Sequence, residues 1–145
     1  MKVKDTIYCN NIGVYHDQLT KRKSYIIEEI NFNNIRICND ENKLKWYSKF
    51  YFSFNNDPEI ASIHIDDEIL DEESDAVEVT IEFTNSDKYW MTFSTPKYLD
   101  LILNDKPYFS VRHFIFIKKL NEDIIKSTIH ELDKQNELIQ ICKKY

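Results

Sequence analysis

The sequence predicts an α+β fold, in which a small SH3-like β-barrel precedes an antiparallel sheet packed with two helices. Short β-branched and aromatic runs alternate with Asn-rich turns in the first third of the chain. Strict apolar alternation then marks strands in the middle, and capped helical patterns follow. With 42% hydrophobic and 14% aromatic residues in 145 positions, the chain can bury a core of its own.

The N-terminal third predicts a β meander. Residues 1–20 are polar with scattered apolar positions, which indicates a loose lead or one edge strand. Runs at 25–30, 35–38 and 44–47 are separated by Asn-containing turns, as in consecutive hairpins. The aromatic run at 50–54 is placed to close a small barrel.

Alternation within these runs predicts one buried and one solvated face. Ile35 and Ile37 alternate with Arg36, and Leu44 and Trp46 alternate with Lys45. Gly13 is the single glycine, so turns that need a positive φ are expected to use Asn or Asp instead.

A polar Asn-Asn-Asp-Pro stretch at 55–58 predicts a boundary between domain 1–56 and domain 57–145, although the two could form one compact unit. Strands are predicted at 61–66, 77–83 and 89–93, with a loop from 66 to 75.

The remaining pattern is helical apart from one strand. Thr95-Pro96 predicts a helix start, and Asn121 caps a later helix with apolar residues on one face. A strand at 111–117 separates the two helices, and a short helix follows a break at 135–136. The predicted C-terminal order is therefore β-β-β-α-β-α.

Charge is distributed very unevenly along the chain. No lysine or arginine lies between Lys49 and Lys88, so that stretch has a formal charge of −12 in a chain of net charge −6. Its carboxylates are Asp57, Glu59, Asp66, Asp67, Glu68, Asp71, Glu72, Glu73, Asp75, Glu78, Glu82 and Asp87. A concentrated negative field attracts a cationic partner and argues against direct binding of nucleic acid.

Three interpretations of the loop at 66–75 remain open. It could be a solvated loop, a site for Ca²⁺ or Mg²⁺, or an acidic recognition surface for a basic protein. The recognition residues predicted on the third interpretation are Asp66, Asp67, Glu68, Asp71, Glu72, Glu73 and Asp75. The segment lacks the glycine and the ligand spacing of an EF-hand loop, and neither a metal nor another cofactor is predicted.

Secondary candidates lie elsewhere in the chain. Trp46 and Tyr47, with the neighbouring aromatics, could form a peptide-binding groove or the core of the barrel. Arg112 and His113 could orient a carboxylate, or His113 could be structural.

The sequence contains no pattern typical of a catalytic site. The four histidines lack zinc-ligand spacing, and the chain has no nucleophile elbow or glycine-rich phosphate loop, so we expect a protein that is not an enzyme. Three cysteines without C-x-x-C spacing indicate reduced thiols, and no signal peptide or membrane span is evident. We therefore expect a cytoplasmic protein that is a monomer or a weak dimer and has no membrane partner.

Three segments resemble a family of small α+β immunity proteins from bacterial polymorphic toxin and contact-dependent inhibition systems. They are Val77-Glu78-Val79-Thr80-Ile81-Glu82, the run from Trp90 through Thr95-Pro96-Lys97-Tyr98-Leu99, and Arg112-His113-Phe114-Ile115-Phe116-Ile117. The similarity covers roughly residues 60–135, and the N-terminal part is similar to an SH3-like extension on some uncharacterised bacterial proteins.

The resemblance implies a non-catalytic protein that binds and neutralises one cognate toxin. Many such toxins are basic nucleases, and an acidic surface could cover their phosphate-binding clefts. Two alternatives remain, namely an adaptor module that binds a peptide through its barrel aromatics and a metal-dependent enzyme.

Overall fold

The computed structural model describes residues 1–110 and 112–145. Within these residues the chain forms three α-helices and several β-sheets, which confirms the predicted α+β class. Contacts divide the chain into two compact units. Unit 1 comprises Met1–Asp57 with Lys134–Asn136, and unit 2 comprises Pro58–Asp133 with Glu137–Tyr145.

Unit 1 contains two three-stranded antiparallel sheets. Its elements are β1 (Thr6–Cys9), β2 (Ser24–Ile26), β3 (Glu29–Ile30), β4 (Asn34–Cys38), β5 (Leu44–Ser48), a 3₁₀ turn (Lys49–Tyr51) and β6 (Phe52–Ser53). The strand orders are β2-β1-β6 and β3-β4-β5. The described residues show no closed barrel, because hydrogen bonds join these strands into two separate sheets.

The N-terminal segment is part of the core of unit 1, so the prediction of a loose lead or an edge strand is wrong. Strand β1 lies in the centre of its sheet and pairs with both β2 and β6. Ile7 and Cys9 on β1 are buried, as are Ile12 and Leu19 in the connection that follows. The four apolar positions are too widely spaced in sequence to reveal this packing.

Strand β5 exposes the face that its sequence predicted to be buried. Leu44 and Trp46 are 50% and 44% exposed, whereas Tyr47 is 2% exposed. The reason is the register with β4, in which Tyr47 lies opposite the buried Ile35 and Trp46 lies opposite Arg36. A shift of one residue in register reverses which side chains face the core. On β4 itself the predicted burial of Ile35 and Ile37 is confirmed.

The prediction that Asn or Asp would occupy the positive-φ positions is only partly correct, because the non-glycine residues with positive φ among those described also include Lys4, Arg22 and His113. Asn42 and Asn136 have φ of 58° and 61° at predicted turns, although Ser86 takes this role in the turn at 85–87. Gly13 has φ 49°, and a Cβ added there would lie 2.8 Å from Cε1 of Tyr51, so this position requires glycine on two grounds.

Unit 2 is built on one twisted sheet with strand order β10-β9-β8-β7. Its elements are β7 (Ile60–Ile65), β8 (Ala76–Phe83), β9 (Lys88–Ser94), α1 (Pro96–Asp105), β10 (Phe114–Phe116), α2 (Glu122–Lys134), α3 (Leu138–Ile141) and β11 (Lys143–Lys144). Strand β10 runs parallel to one part of β9, and β11 runs antiparallel to another part. The predicted strand at 111–117 began at Val111, which lies outside the described residues.

One face of this sheet forms the core of unit 2. Along β8 the odd-numbered residues from Val77 to Phe83 are buried, as their strict alternation predicted. Ile125 and Ile129 of α2 and Leu138 of α3 join the same hydrophobic cluster. The predicted cap of α2 is confirmed, since Oδ1 of Asn121 accepts a hydrogen bond from the Ile124 N–H at 2.9 Å.

Helix α1 begins where the sequence predicted, but the helix is only partly buried. The hydroxyl of Thr95 accepts a hydrogen bond from the Tyr98 N–H at 3.3 Å, and Pro96 occupies the first turn. None of its ten residues is fully buried.

The three cysteines are free thiols. Cys9 and Cys142 are buried, whereas Cys38 is exposed. Burial raises the pKa of Cys9 and of Cys142 to about 12, so both stay protonated at neutral pH. Among the described residues, no helix combines the length and apolar character needed to cross a membrane.

Candidate recognition surface

The acidic loop, defined here as residues 66–75, connects β7 to β8 and is anchored by its aspartates. Oδ2 of Asp67 accepts a hydrogen bond from the Glu78 N–H at 2.9 Å, and the Asp66 N–H donates to the Glu78 carbonyl at 2.9 Å. Oδ2 of Asp66 also accepts from the Thr80 hydroxyl at 2.7 Å. The start of the loop is therefore bound to β8.

The second half of the loop is held in the same way. The carboxylate of Asp75 accepts from the N–H groups of Leu70 and Ala76, at 2.9 Å and 2.8 Å. Oδ1 of Asp71 accepts from the Glu73 N–H at 2.9 Å, which closes a local turn. Carboxylates that accept backbone N–H bonds stabilise a fixed loop conformation.

The glutamates of the loop have a different arrangement. Glu73 forms an ion pair with Lys119 at 3.4 Å. Glu68 and Glu72 are exposed, and their side chains have no partner among the described residues. The Glu72 carbonyl accepts a hydrogen bond from the Leu120 N–H at 2.7 Å, which fixes the backbone beneath the free carboxylate. The aspartates therefore fix the shape of the loop, whereas Glu68 and Glu72 take no part in these hydrogen bonds.

The charge of the 49–88 stretch is only partly neutralised within the chain. In the described part of the chain, its ion pairs with lysine are Glu73–Lys119, Glu82–Lys88 at 3.3 Å and Asp87–Lys144 at 2.6 Å. His64 lies 3.7 Å from Asp66, a separation that adds attraction only when the histidine is protonated. Among the described residues, the carboxylates of this stretch without a side-chain partner are those of Glu59, Glu68, Glu72 and Glu78.

The acidic loop leads into the sheet face opposite the core, which we call the outer face; Glu78 is exposed on it, Trp90 is half-buried and Thr92 is buried. On β8 it carries Glu78, Thr80 and Glu82, the side chains that alternate with the buried row. On β9 the register places Thr92 opposite Glu78, and Trp90 opposite Thr80. A row of carboxylates thus lies beside a row that includes a tryptophan.

Aromatic side chains extend this face toward β10. Phe114 lies opposite Thr92 and is 5.4 Å from Phe109, ring centre to ring centre, in an edge-to-face arrangement. Phe116 is 39% exposed on the same strand. The outer face is therefore acidic on one side and aromatic on the other.

The arrangement of Arg112 and His113 favours the structural interpretation of the histidine. Nδ1 of His113 lies 2.7 Å from the Ile141 carbonyl oxygen. A carbonyl oxygen only accepts hydrogen bonds, so Nδ1 carries the proton and the ring ties β10 to α3. The ring also lies 5.7 Å from Trp90. Arg112 is exposed, and no carboxylate of the described residues is held between the two side chains.

The second predicted pair, Trp46 and Tyr47, is divided between two environments in unit 1. The hydroxyl of Tyr47 accepts from Nδ2 of Asn39 at 2.9 Å and donates to Oε1 of Gln18 at 3.0 Å. Tyr47 is therefore a core residue and cannot line a groove, whereas Trp46 is accessible.

The geometry does not favour a metal centre. In residues 1–110 and 112–145, no three His, Cys, Asp or Glu side chains come together in a group that could hold a metal ion. The loop carboxylates are directed to backbone N–H groups rather than to a common point.

No protein-family model, curated protein or solved structure matches this chain.

Glu78, Trp90 and Phe114 belong to this surface and were absent from the predicted site residues. The exposure of Glu78 could have been predicted from the sequence, because the alternation along β8 assigns this residue to the solvated face. Trp90 and Phe114 become neighbours of the carboxylates only through the register of β8, β9 and β10, which no local pattern gives.

Proposed function

We propose that this chain is an immunity protein that binds and neutralises a cationic bacterial toxin, such as a basic nuclease, through its acidic loop. It would act in the cytoplasm by blocking the toxin and without catalysis of its own. One observation carries this proposal: hydrogen bonds of the aspartates hold the loop in shape, while the exposed side chains of Glu68 and Glu72 have no partner among the described residues.

This division suits recognition of a charged partner. An ordered loop loses less conformational entropy on binding than a mobile one, because its backbone is already fixed. Glu68 and Glu72 of the loop and Glu78 of β8 are exposed carboxylates without a side-chain partner in the described part of the chain, and together they contribute a local negative field. Such a field accelerates encounter with a cationic protein and disfavours acidic competitors.

The test uses the toxin encoded beside the gene for this chain, expressed with and without it. Coexpression should restore growth, and the purified proteins should associate at a rate that falls as ionic strength rises. The double variant E68Q/E72Q should slow association by about threefold to tenfold at low salt.

A matched control removes two charges elsewhere. Asp17 and Glu137 are exposed, and neither side chain has a partner among the described residues. D17N/E137Q gives the same net charge as E68Q/E72Q and should leave the association rate within about twofold of the unmodified chain. Equal slowing by both double variants would show that net charge alone matters and would remove the role proposed for the loop.

A second candidate function is an adaptor module that binds a peptide, and the exposure of Trp46 on β5 favours it. β5 is the edge strand of its sheet in the described residues, and an edge strand is where a peptide adds in β-augmentation. An SH3-like arrangement of unit 1 belongs to this alternative. On this hypothesis W46A should abolish peptide binding without unfolding the protein, whereas toxin neutralisation should survive it.

A further inference from the structure

The most distinctive group on the outer face is the indole of Trp90. The β8–β9 register places Trp90 directly opposite Thr80, with Glu78 and Glu82 on the two diagonals. Diagonal neighbours on one sheet face are about 7–8 Å apart, within reach of a long side chain that contacts both. Glu82 is paired with Lys88, but Glu78 has no side-chain partner in the described part of the chain.

This indole already attracts a cation from its own chain. The ammonium of Lys143 on β11 lies 5.5 Å from the centre of the Trp90 ring. A cation at this distance from a tryptophan face is stabilised by the ring quadrupole. The outer face therefore combines the Glu78 carboxylate, which has no side-chain partner among the described residues, with the Trp90 ring, which attracts positive charge.

An apolar depression adjoins the aromatic side of the face. It has a volume of about 430 Å³ and is lined by Lys106, Pro107, Tyr108, Phe109 and Ser110. Phe109 contacts Phe114, whose strand runs beside β9, so the depression continues the aromatic row. A partner side chain placed there would bury apolar surface.

We propose that the toxin docks on this outer face through a segment carrying an arginine next to an apolar side chain. The guanidinium stacks on Trp90 and pairs with Glu78, and the apolar side chain enters the depression beside Phe109. This proposal rests on the immunity function proposed above and specifies the partner's chemistry. The acidic loop attracts the toxin, and the Trp90 site holds it.

The chemistry favours arginine over other occupants. A guanidinium is planar and can stack on an indole while donating two parallel hydrogen bonds to one carboxylate. An ammonium can make only one of these contacts well. Phosphate groups of a nucleic acid or a lipid would meet Glu78 and the acidic loop, which repel them.

In the test, the ¹⁵N-labelled chain of 145 residues is titrated with a blocked peptide of alternating Arg and Phe, and the titration is followed by NMR. The chain has two tryptophans, so two indole N–H signals report separately on Trp90 and on Trp46 in unit 1. The Trp90 signal should shift and saturate while the Trp46 signal stays in place. A peptide of the same length in which lysine replaces each arginine should bind at least about threefold more weakly.

Two variants with opposite expected effects make the test specific. E78Q should lower the affinity for the peptide at least about threefold, because it removes the carboxylate that pairs with the guanidinium. K143Q should strengthen peptide binding, because it removes the ammonium group that lies over the Trp90 ring and repels an incoming guanidinium. E59Q, which changes another exposed carboxylate without a side-chain partner among the described residues, is the control and should have no effect.

The outcomes separate this proposal from the immunity function. Equal effects of E78Q and E59Q, or equal shifts of both indole signals, would overturn the docking site. If the rate of toxin association still depended on Glu68 and Glu72 in that case, the immunity function would remain supported and only the docking site would be rejected. Toxin association unaffected by E68Q/E72Q would instead overturn the proposed function.

Discussion

Replacement of Asp75 by Asn tests whether the aspartates of the acidic loop are structural. The Asp75 carboxylate accepts two backbone hydrogen bonds, from the N–H groups of Leu70 and Ala76. Its backbone carbonyl also accepts from the Thr95 N–H at 3.2 Å, just before helix α1. An Asn side chain keeps one acceptor oxygen but directs its own N–H₂ group at the second backbone N–H.

The expected cost follows from the loss of one bond to a charged acceptor. Such hydrogen bonds contribute roughly 1.5–3 kcal/mol when well shielded, and partial exposure of Asp75 reduces this. We therefore expect D75N to lower the free energy of unfolding by about 1–2 kcal/mol. E68Q/E72Q should change it by less than about 0.5 kcal/mol, because neither side chain has a partner to lose.

Urea denaturation of the three proteins, monitored by circular dichroism, measures these differences. Amide hydrogen exchange gives an independent readout, since the Leu70 and Ala76 amides should exchange faster in D75N than in the unmodified chain. If E68Q/E72Q were as destabilising as D75N, the separation between shaping aspartates and displayed glutamates would be wrong.

Three further predictions concern the core of unit 2, the thiols and the Asp40 carboxylate. I129A should destabilise unit 2 by about 2–5 kcal/mol because Ile129 is fully buried, whereas I124A, at a position 37% exposed, should cost far less in the same urea titration. A thiol reagent should modify Cys38 rapidly in the native protein and should reach the other two cysteines only after unfolding, as a titration with and without denaturant would show. Burial acts to raise the pKa of Asp40, but hydrogen bonds from Lys23 and two hydroxyls lower it below the ordinary 3.8. Its contribution to stability is present above pH 3.8 and is lost as the pH falls below that value, so stability between about pH 5 and pH 2 should fall more steeply for the unmodified chain than for D40N.

The parts of the fold that the sequence predicted correctly are those fixed by local chemistry. The strand at β8 follows from seven residues of unbroken alternation, Val77 to Phe83, and its burial matches that pattern. Helix α1 starts at Thr95-Pro96 and helix α2 starts after Asn121, because a side-chain acceptor satisfies the first free N–H groups at each place.

The errors arose where long-range pairing decides burial. Residues 1–20 are central to unit 1 because β1 pairs on both sides, with partners distant in sequence. Strand β5 has two large apolar residues on one side and Tyr47 on the other, and only pairing with β4 selects the tyrosine for the core. Contacts of this kind depend on the whole chain and leave little local trace.

For the candidate surface, the sequence alone determined the amount and the sign of charge between Lys49 and Lys88, and the position of a loop at residues 66–75. Only the tertiary structure decided which carboxylates in that loop are bound to backbone N–H groups and which have no partner among the described residues. It also placed Trp90 and Phe114 beside Glu78. The physical reason is that charge is a property of composition, whereas a hydrogen-bond partner or a neighbour across a sheet exists only once separate segments of the chain are brought together.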